Sequence, residues 1–296
     1  MKSAQRPFNI ALIGAGKVGT TLASMLKTSG HRIVAVVSRN KHSAQRCGRL
    51  LGCRNCSEDP SVVPASTDLV LIAVPDRSIR SVSESLARIP HLNSKHLFAL
   101  HTSGALTSDE LEPLAARGVT VFSFHPVQTF PKNKSLRNQI RTMKGIAYGI
   151  EGPQRALATA TSLAKQLGGD ALVVPKEAKM LYHAACVLAS NYAVTLVGAV
   201  EALAGQFTKR STDPFRHLIE TSISNALESG AAKALTGPIV RGDADIISRH
   251  LQTIRDPDLR SVYKSLGLYA LKLAVAEKKI ALEDVDRIER ALREIG

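Results

Sequence analysis

The sequence predicts an α/β class: a doubly wound N-terminal domain followed by an all-α C-terminal domain. Three observations predict it. Short apolar or β-branched runs alternate with helical patterns up to about residue 175. A Gly-x-Gly-x-x-Gly stretch follows the first of those runs directly. Beyond Pro175 no strand pattern returns. The division is therefore expected between a domain of residues 1–175 and one of 176–296, and 296 residues leave room for two domains of ordinary size.

In chain order, residues 8–13 form an apolar run ending in glycines, and 20–28 read as a helix. Residues 32–37 are short and β-branched, as a buried parallel strand should be. Residues 41–51 look helical, 68–74 (DLVLIAV) form a buried strand stopped by Pro75, and 79–88 are amphipathic. Residues 96–100 give another strand. Thr107 and Glu110, three apart, have the pattern of a capping box that opens a helix. Residues 119–124 and 145–150 are strands separated by a polar loop. Pro153 suits the first position of a helix reaching residue 167, and 171–174 make a last short strand. From Lys176 to Gly205 runs one long segment with no proline. Further helices are expected from Asp213-Pro214, over 243–255, over 258–277 and over 282–295.

The composition narrows the function classes. Hydrophobic residues make up 44%, enough for globular cores. With no tryptophan and 4% aromatics, base stacking on nucleic acid is not expected as the main activity. The net charge of +14 is spread along the chain rather than gathered in one arm. That pattern fits a solvated surface with an anion-binding cleft and a small anionic substrate, not a nucleic-acid partner. No apolar run approaches the ~18–20 residues needed to cross a bilayer, so no membrane partner is expected. Met1 to Arg6 is polar, with no signal-peptide pattern, which gives a cytoplasmic location as the expectation. Cys53 and Cys56 have C-x-x-C spacing with Cys47 nearby, and Cys186 lies far off. A structural zinc site needs about four ligands, and no second close Cys/His pair follows, so the reading is reduced thiols and no metal.

Gly14-Ala15-Gly16-Lys17-Val18-Gly19 follows a strand and opens a helix, the context in which Gly-x-Gly-x-x-Gly marks a dinucleotide site in a Rossmann domain. Gly14 permits the tight turn, Gly16 lets backbone approach a pyrophosphate, and Gly19 lets helix and strand pack closely. Lys17 and Val18 belong to the helix N-terminus that would face the phosphates. A site for NAD would carry Asp or Glu about 20 residues further on. Here Ser38-Arg39-Asn40 stands at the end of the second strand, so Arg39 and Ser38 are expected to take a 2′-phosphate and NADP(H) is the expected cofactor. The alternative is an Arg39 that only stacks on adenine, with mixed cofactor use. Val74 and Pro75, at the end of the next strand, should line the nicotinamide side, and Asp76 reads as a helix cap first and a polar contact second. The following strands end in His101-Thr102-Ser103-Gly104 and His125-Pro126. Thr102 is assigned to the cofactor and His125 to the substrate.

Gly14 to Gly19, Ala73 to Asp76, His101 to Ala105 and Phe124 to Phe130, in that order, resemble the Rossmann-like proteins that carry a helical C-terminal domain of unknown function. The stretch Leu235 to Asp243 resembles the same group. That group is similar to the 6-phosphogluconate-dehydrogenase-like superfamily, with its pyrroline-5-carboxylate, ketopantoate and β-hydroxyacid reductases. The resemblance implies an NADP(H)-dependent oxidoreductase acting on a small carbonyl or hydroxy acid, a ketopantoate-like 2-oxo acid being the sharpest expectation. It also implies a homodimer formed through the helical domain, and a catalytic lysine on the first long helix after the Rossmann domain. Lys179, His183 and Asn191 recur there at multiples of four, on nearly one helical stripe. His183 stands where the relatives carry Asn, which leaves the proton donor as Lys179 or His183. An anionic substrate needs a fixed cation, for which Arg241 is the candidate with Asp243 beside it; a loop ion pair or helix cap is the other reading of that pair. The rival function is a non-catalytic NADPH-binding sensor.

Overall fold

The computed structural model describes residues 6–92, 94–209 and 212–294. The chain divides into two compact units, residues 1–190 and 191–296.

The first unit is built on β1 (Asn9–Ile13), β2 (Arg32–Val37), β3 (Cys56–Ser57), β4 (Leu69–Ile72), β5 (Phe98–His101), β6 (Thr120–Pro126), β7 (Ala147–Glu151) and β8 (Asp170–Val173). They form one sheet in the order β3-β2-β1-β4-β5-β6-β7-β8. Every neighbouring pair is parallel except β6 with β7, which is antiparallel. The helices are α1 (Lys17–Thr28), α2 (Lys41–Leu51), α3 (Ile79–Ala87), α4 (Glu112–Ala115), α5 (Leu136–Thr142), α6 (Gln154–Gln166) and α7 (Lys179–Val187). Side chains alternate across a strand, so two cores result. Ile10, Leu12, Leu69, Leu71 and Phe122 lie in one, and Ala11, Ile13, Val70, Ile72 and Val121 in the other. Burying each such Ile or Leu stabilises the sheet by roughly 1.5–3 kcal/mol.

Five local expectations are corrected. The strand at Cys56–Ser57 and the helix Leu136–Thr142 stand where no element was expected. Thr107 makes no side-chain cap; the turn Ser108–Leu111 is capped from β7 by Glu151, whose carboxylate accepts from the Ser108 backbone N–H at 2.6 Å and from its Oγ at 2.9 Å. Of the two readings of Asp76 the cap falls and the polar contact holds: it opens the short turn Asp76–Ser78 without capping it, and its carboxylate accepts from Ser103 Oγ at 2.8 Å. The long segment after Pro175 is not uniformly α-helical: α7 passes into a π-helical turn, Leu188–Tyr192.

The second unit holds α8 (Ala193–Ala204), α9 (Arg216–Ser229), α10 (Ala231–Ala234), α11 (Ala244–Thr253), α12 (Pro257–Ala276) and α13 (Leu282–Glu294), with no strand among the described residues. Ile247, Leu251, Leu271, Ile288 and Leu292 make its core.

One bulk expectation also changes. The helical run Lys176–Ala204 spans 29 residues and contains an 18-residue stretch with a mean hydropathy of 1.5, long and apolar enough to cross a membrane by length and composition. Its apolar character is interrupted by His183 and Lys179, so it did not stand out as an unbroken run.

Candidate active site

The glycine loop joins β1 to α1. Gly14 has φ +107°, and a Cβ there would overlap the Ala73 carbonyl; only glycine accepts that backbone without strain. A Cβ on Gly16 would meet nothing within 4 Å, so backbone is exposed to the cleft at this position. A Cβ on Gly19 would overlap the Gly14 carbonyl, so its absence lets α1 pack against the loop. The α1 N-terminus has no side-chain cap and no acidic residue in its first turn. Its free N–H groups and positive dipole end fit a pyrophosphate. The cleft beside it, about 490 Å³, is lined by Gly14, Gly16, Ser38, Arg39, Glu58, Val74 and Pro75, among others. The residues present therefore fit a dinucleotide.

A second group of side chains lies further along the carboxyl edge of the sheet. Ser123 and His125 alternate on β6, facing Glu151 and Gly149 across the antiparallel pair. Residues directly opposite share a face, so these positions form one surface, and α7 packs on it. The Lys179 amine, 1% exposed, donates to Ser123 Oγ at 2.6 Å. It also lies 5.4 Å from the centre of the Tyr182 ring. The Tyr182 hydroxyl is 2.6 Å from His125 Nδ1. It reaches that far because Gly149 has no side chain; a Cβ there would overlap the hydroxyl. His125 and His183 meet over Gly104, where a Cβ would come within 2.9 Å of both rings.

Burial governs the protonation of this group. It pushes the Lys179 amine down to about 8, with the Glu151 charge acting in the opposite direction. Burial likewise holds His101 and His125 at about 4, with the positive charge of Lys179 contributing for both. Both imidazoles are therefore neutral near pH 7, while Lys179 is an ammonium close to its titration point.

Gly14, Gly16, Ser38, Arg39, Val74 and Pro75 thus gather around one cleft, and Lys179, His183 and His125 around one point on the sheet edge. Val18 packs against the sheet core. The Lys17 amine donates to the Lys134 carbonyl at 2.9 Å. Thr102 gives its backbone N–H to Ile72 O at 3.2 Å; the neighbouring Ser103 makes the side-chain bond to Asp76. Asn191 is exposed and lies inside the π-helical turn, which breaks the four-residue spacing on which its assignment depended. Arg241 and Asp243, in the second unit, pair with each other, Nε to Oδ2 at 2.8 Å. Ser123, Tyr182 and Glu58 were missed. Tyr182 stands three residues after Lys179, and Ser123 two before His125, so periodicity alone could have found both. Glu58 follows a strand too short to recognise.

The Rossmann-like domain family matches residues 2–126, and the domain of unknown function DUF2520 matches residues 146–270. No curated protein matches the chain by sequence. Among solved structures, a provisionally named NADP oxidoreductase from Bacteroides fragilis is 23% identical with a TM-score of 0.73, covering 90% of this chain and 98% of its own. A protein from Thermotoga maritima is 22% identical with a TM-score of 0.71, covering 91% and 99%. A pyrroline-5-carboxylate reductase from Coxiella burnetii is 18% identical with a TM-score of 0.56, covering 93% and 100%. At these identities the likeness is one of fold. With a Rossmann-like domain at the glycine loop and DUF2520 from β7 onward over most of the remainder, the chain combines these two domain families.

Proposed function

We propose that the protein is an oxidoreductase that uses a nicotinamide dinucleotide, NADP(H) by preference, on a small anionic carbonyl or hydroxy compound. A ketopantoate-like 2-oxo acid is the first substrate to try. The observation that carries the reading is the Lys179 amine, buried and bonded to Ser123, on the same sheet edge as an open glycine loop. The nicotinamide, when bound, supplies or accepts hydride. The protein must then give a proton to the oxygen that becomes negative and stabilise its charge. Lys179 serves both needs. Its depressed pKa eases proton release, and Ser123 fixes the amine in place. His183, beside the neutral His125, is the second candidate donor. Fold neighbours named as an imine reductase and a pyrroline-5-carboxylate reductase add cyclic imines to the substrate classes worth testing.

The test is NADPH oxidation against a panel of 2-oxo acids, cyclic imines and aldehydes, with Lys179→Ala and His183→Ala alongside. The reading expects Lys179→Ala to lower kcat by about 10²–10⁴-fold while leaving NADPH affinity nearly unchanged. Tight NADPH binding with no turnover on any class would overturn it in favour of a sensor.

The same reading includes a homodimer. Met180, Leu181 and Leu188 are 68%, 76% and 62% exposed on the helical run that also presses Lys179 against the sheet. A second copy would cover them. A monomeric mass by light scattering would refute this. A cytoplasmic location goes with it, in keeping with four cysteines that are all free.

A further inference from the structure

The cleft is also lined by a carboxylate that does not come from β2. Glu58 follows β3 directly, and β3 pairs with β2 so that Ser57 stands beside Val37 and the Ser38 N–H donates to Ser57 O at 3.1 Å. This register carries Glu58 next to Ser38 and Arg39, and all three line the cleft. The Glu58 side chain is exposed, and its Oε1 accepts from the Lys41 N–H at the start of α2 at 3.1 Å. The next orphan donor of that helix that carries a side-chain bond, Ser43 N–H, is taken by Asn40 Oδ1 at 3.0 Å. α2 has no acidic residue of its own in the first turn. Glu58 is therefore the negative charge in the place where the end of β2, Arg39 and the α2 N-terminus together would otherwise receive an anion.

We propose that Glu58 is a cofactor-selectivity residue, holding the position that a ribose 2′-phosphate would take and accepting a ribose 2′-hydroxyl when the phosphate is absent. This rests on the reading of the cleft as a dinucleotide site. A 2′-phosphate arriving beside Arg39 and Ser38 meets the Glu58 carboxylate and must displace it from the Lys41 N–H. A free 2′-hydroxyl instead donates to that carboxylate, the role that an acid at the end of the second strand plays in other Rossmann domains. Arg39 favours the phosphate and Glu58 disfavours it, so the preference for NADP(H) over NAD(H) is narrower than the β2 sequence alone implies.

The test is titration calorimetry of NADP+ and NAD+ with the whole protein and two variants. Glu58→Gln keeps an oxygen for the Lys41 N–H and removes only the charge, so the fold is retained. It should tighten NADP+ about tenfold, the effect of removing one like charge a few ångströms away through partly screened solvent, and weaken NAD+ several-fold. Arg39→Ala should move the ratio the other way. If Glu58→Gln shifts both cofactors equally, or neither, the proposal is overturned and Glu58 is a helix cap alone. If the unmodified protein binds neither dinucleotide, the cofactor reading itself fails and takes this proposal with it.

Discussion

Replacing Lys179 by methionine should remove a pH dependence of folding, and its size can be worked out beforehand. The amine titrates at about 8 in the folded chain, against an ordinary value of 10.5. Between those two values the unfolded chain binds more protons than the folded one, so stability rises with pH across that window. Below about pH 8 both forms carry the proton, and the full penalty of burying the ammonium is present. One proton gives a slope of about 1.4 kcal/mol per pH unit, or about 3 kcal/mol over the whole window. Lys179→Met abolishes this contribution. It also removes the hydrogen bond to Ser123, a loss of about 1 kcal/mol that does not vary with pH. Urea unfolding of both proteins, followed by far-ultraviolet circular dichroism from about pH 7 to about pH 10, reads the difference. By about pH 10 the stability gap should have shifted by about 2.5 kcal/mol in favour of the unmodified protein. Groups remote from residue 179 contribute alike to both curves and cancel in the difference. Parallel pH curves would refute the argument, because they would mean the amine is not held below its ordinary pKa.

Three further outcomes follow from the geometry. If the ammonium is the proton donor, the reductive kcat should fall as pH rises through about 8, while the oxidative rate rises over the same range; a reductive profile flat to pH 10 would exclude Lys179 as donor. Gly16→Val should fold normally, since nothing lies within 4 Å of the added Cβ, yet lose dinucleotide binding in a fluorescence titration; undiminished affinity would remove the pyrophosphate from this loop. Tyr182→Phe breaks the 2.6 Å bond to His125 and should lower kcat about tenfold or less, with a stability change of about 1 kcal/mol; a loss as large as that of Lys179→Ala would make the tyrosine the donor instead.

The parallel part of the sheet and its glycine loop were legible in the sequence because their signals are local. Residues 33–37 are apolar and mostly β-branched, and Gly14 to Gly19 need only a strand before and a helix after. Lys179 was legible through resemblance, and its helical spacing brought in His183. The same counting by fours failed at Asn191, because a π-helical turn five residues long leaves no mark in composition. Glu58 was hidden for another reason. A strand of two residues, Cys56–Ser57, has no periodicity to read, and the acid is brought to Arg39 only by pairing with β2. The Glu151 cap on Ser108 joins positions 43 residues apart; a pattern that looks for the capping residue nearby found Thr107 instead.

The long-range pairing of β1 with β4 also has a consequence for the order in which the molecule folds. Parallel neighbours require a crossover, and β1 does not meet β4 until most of 60 residues have been threaded through two other strands, as in the pairing of Ile10 with Leu69. β6 and β7 turn back on each other sooner, Pro126 against Tyr148. Short loops close at lower entropic cost. The surface that presents Ser123, His125, Gly149 and Glu151 is therefore closed by shorter-range contacts than the cleft beside the glycine loop, whose Val74 and Pro75 wall follows β4 and waits on the β1–β4 pairing. Pulse-labelled hydrogen exchange during refolding should record protection at β6 and β7 before protection of the amides bonded between β1 and β4, so that the surface under Lys179 is in place before Val74 and Pro75 complete the cleft beside the glycine loop.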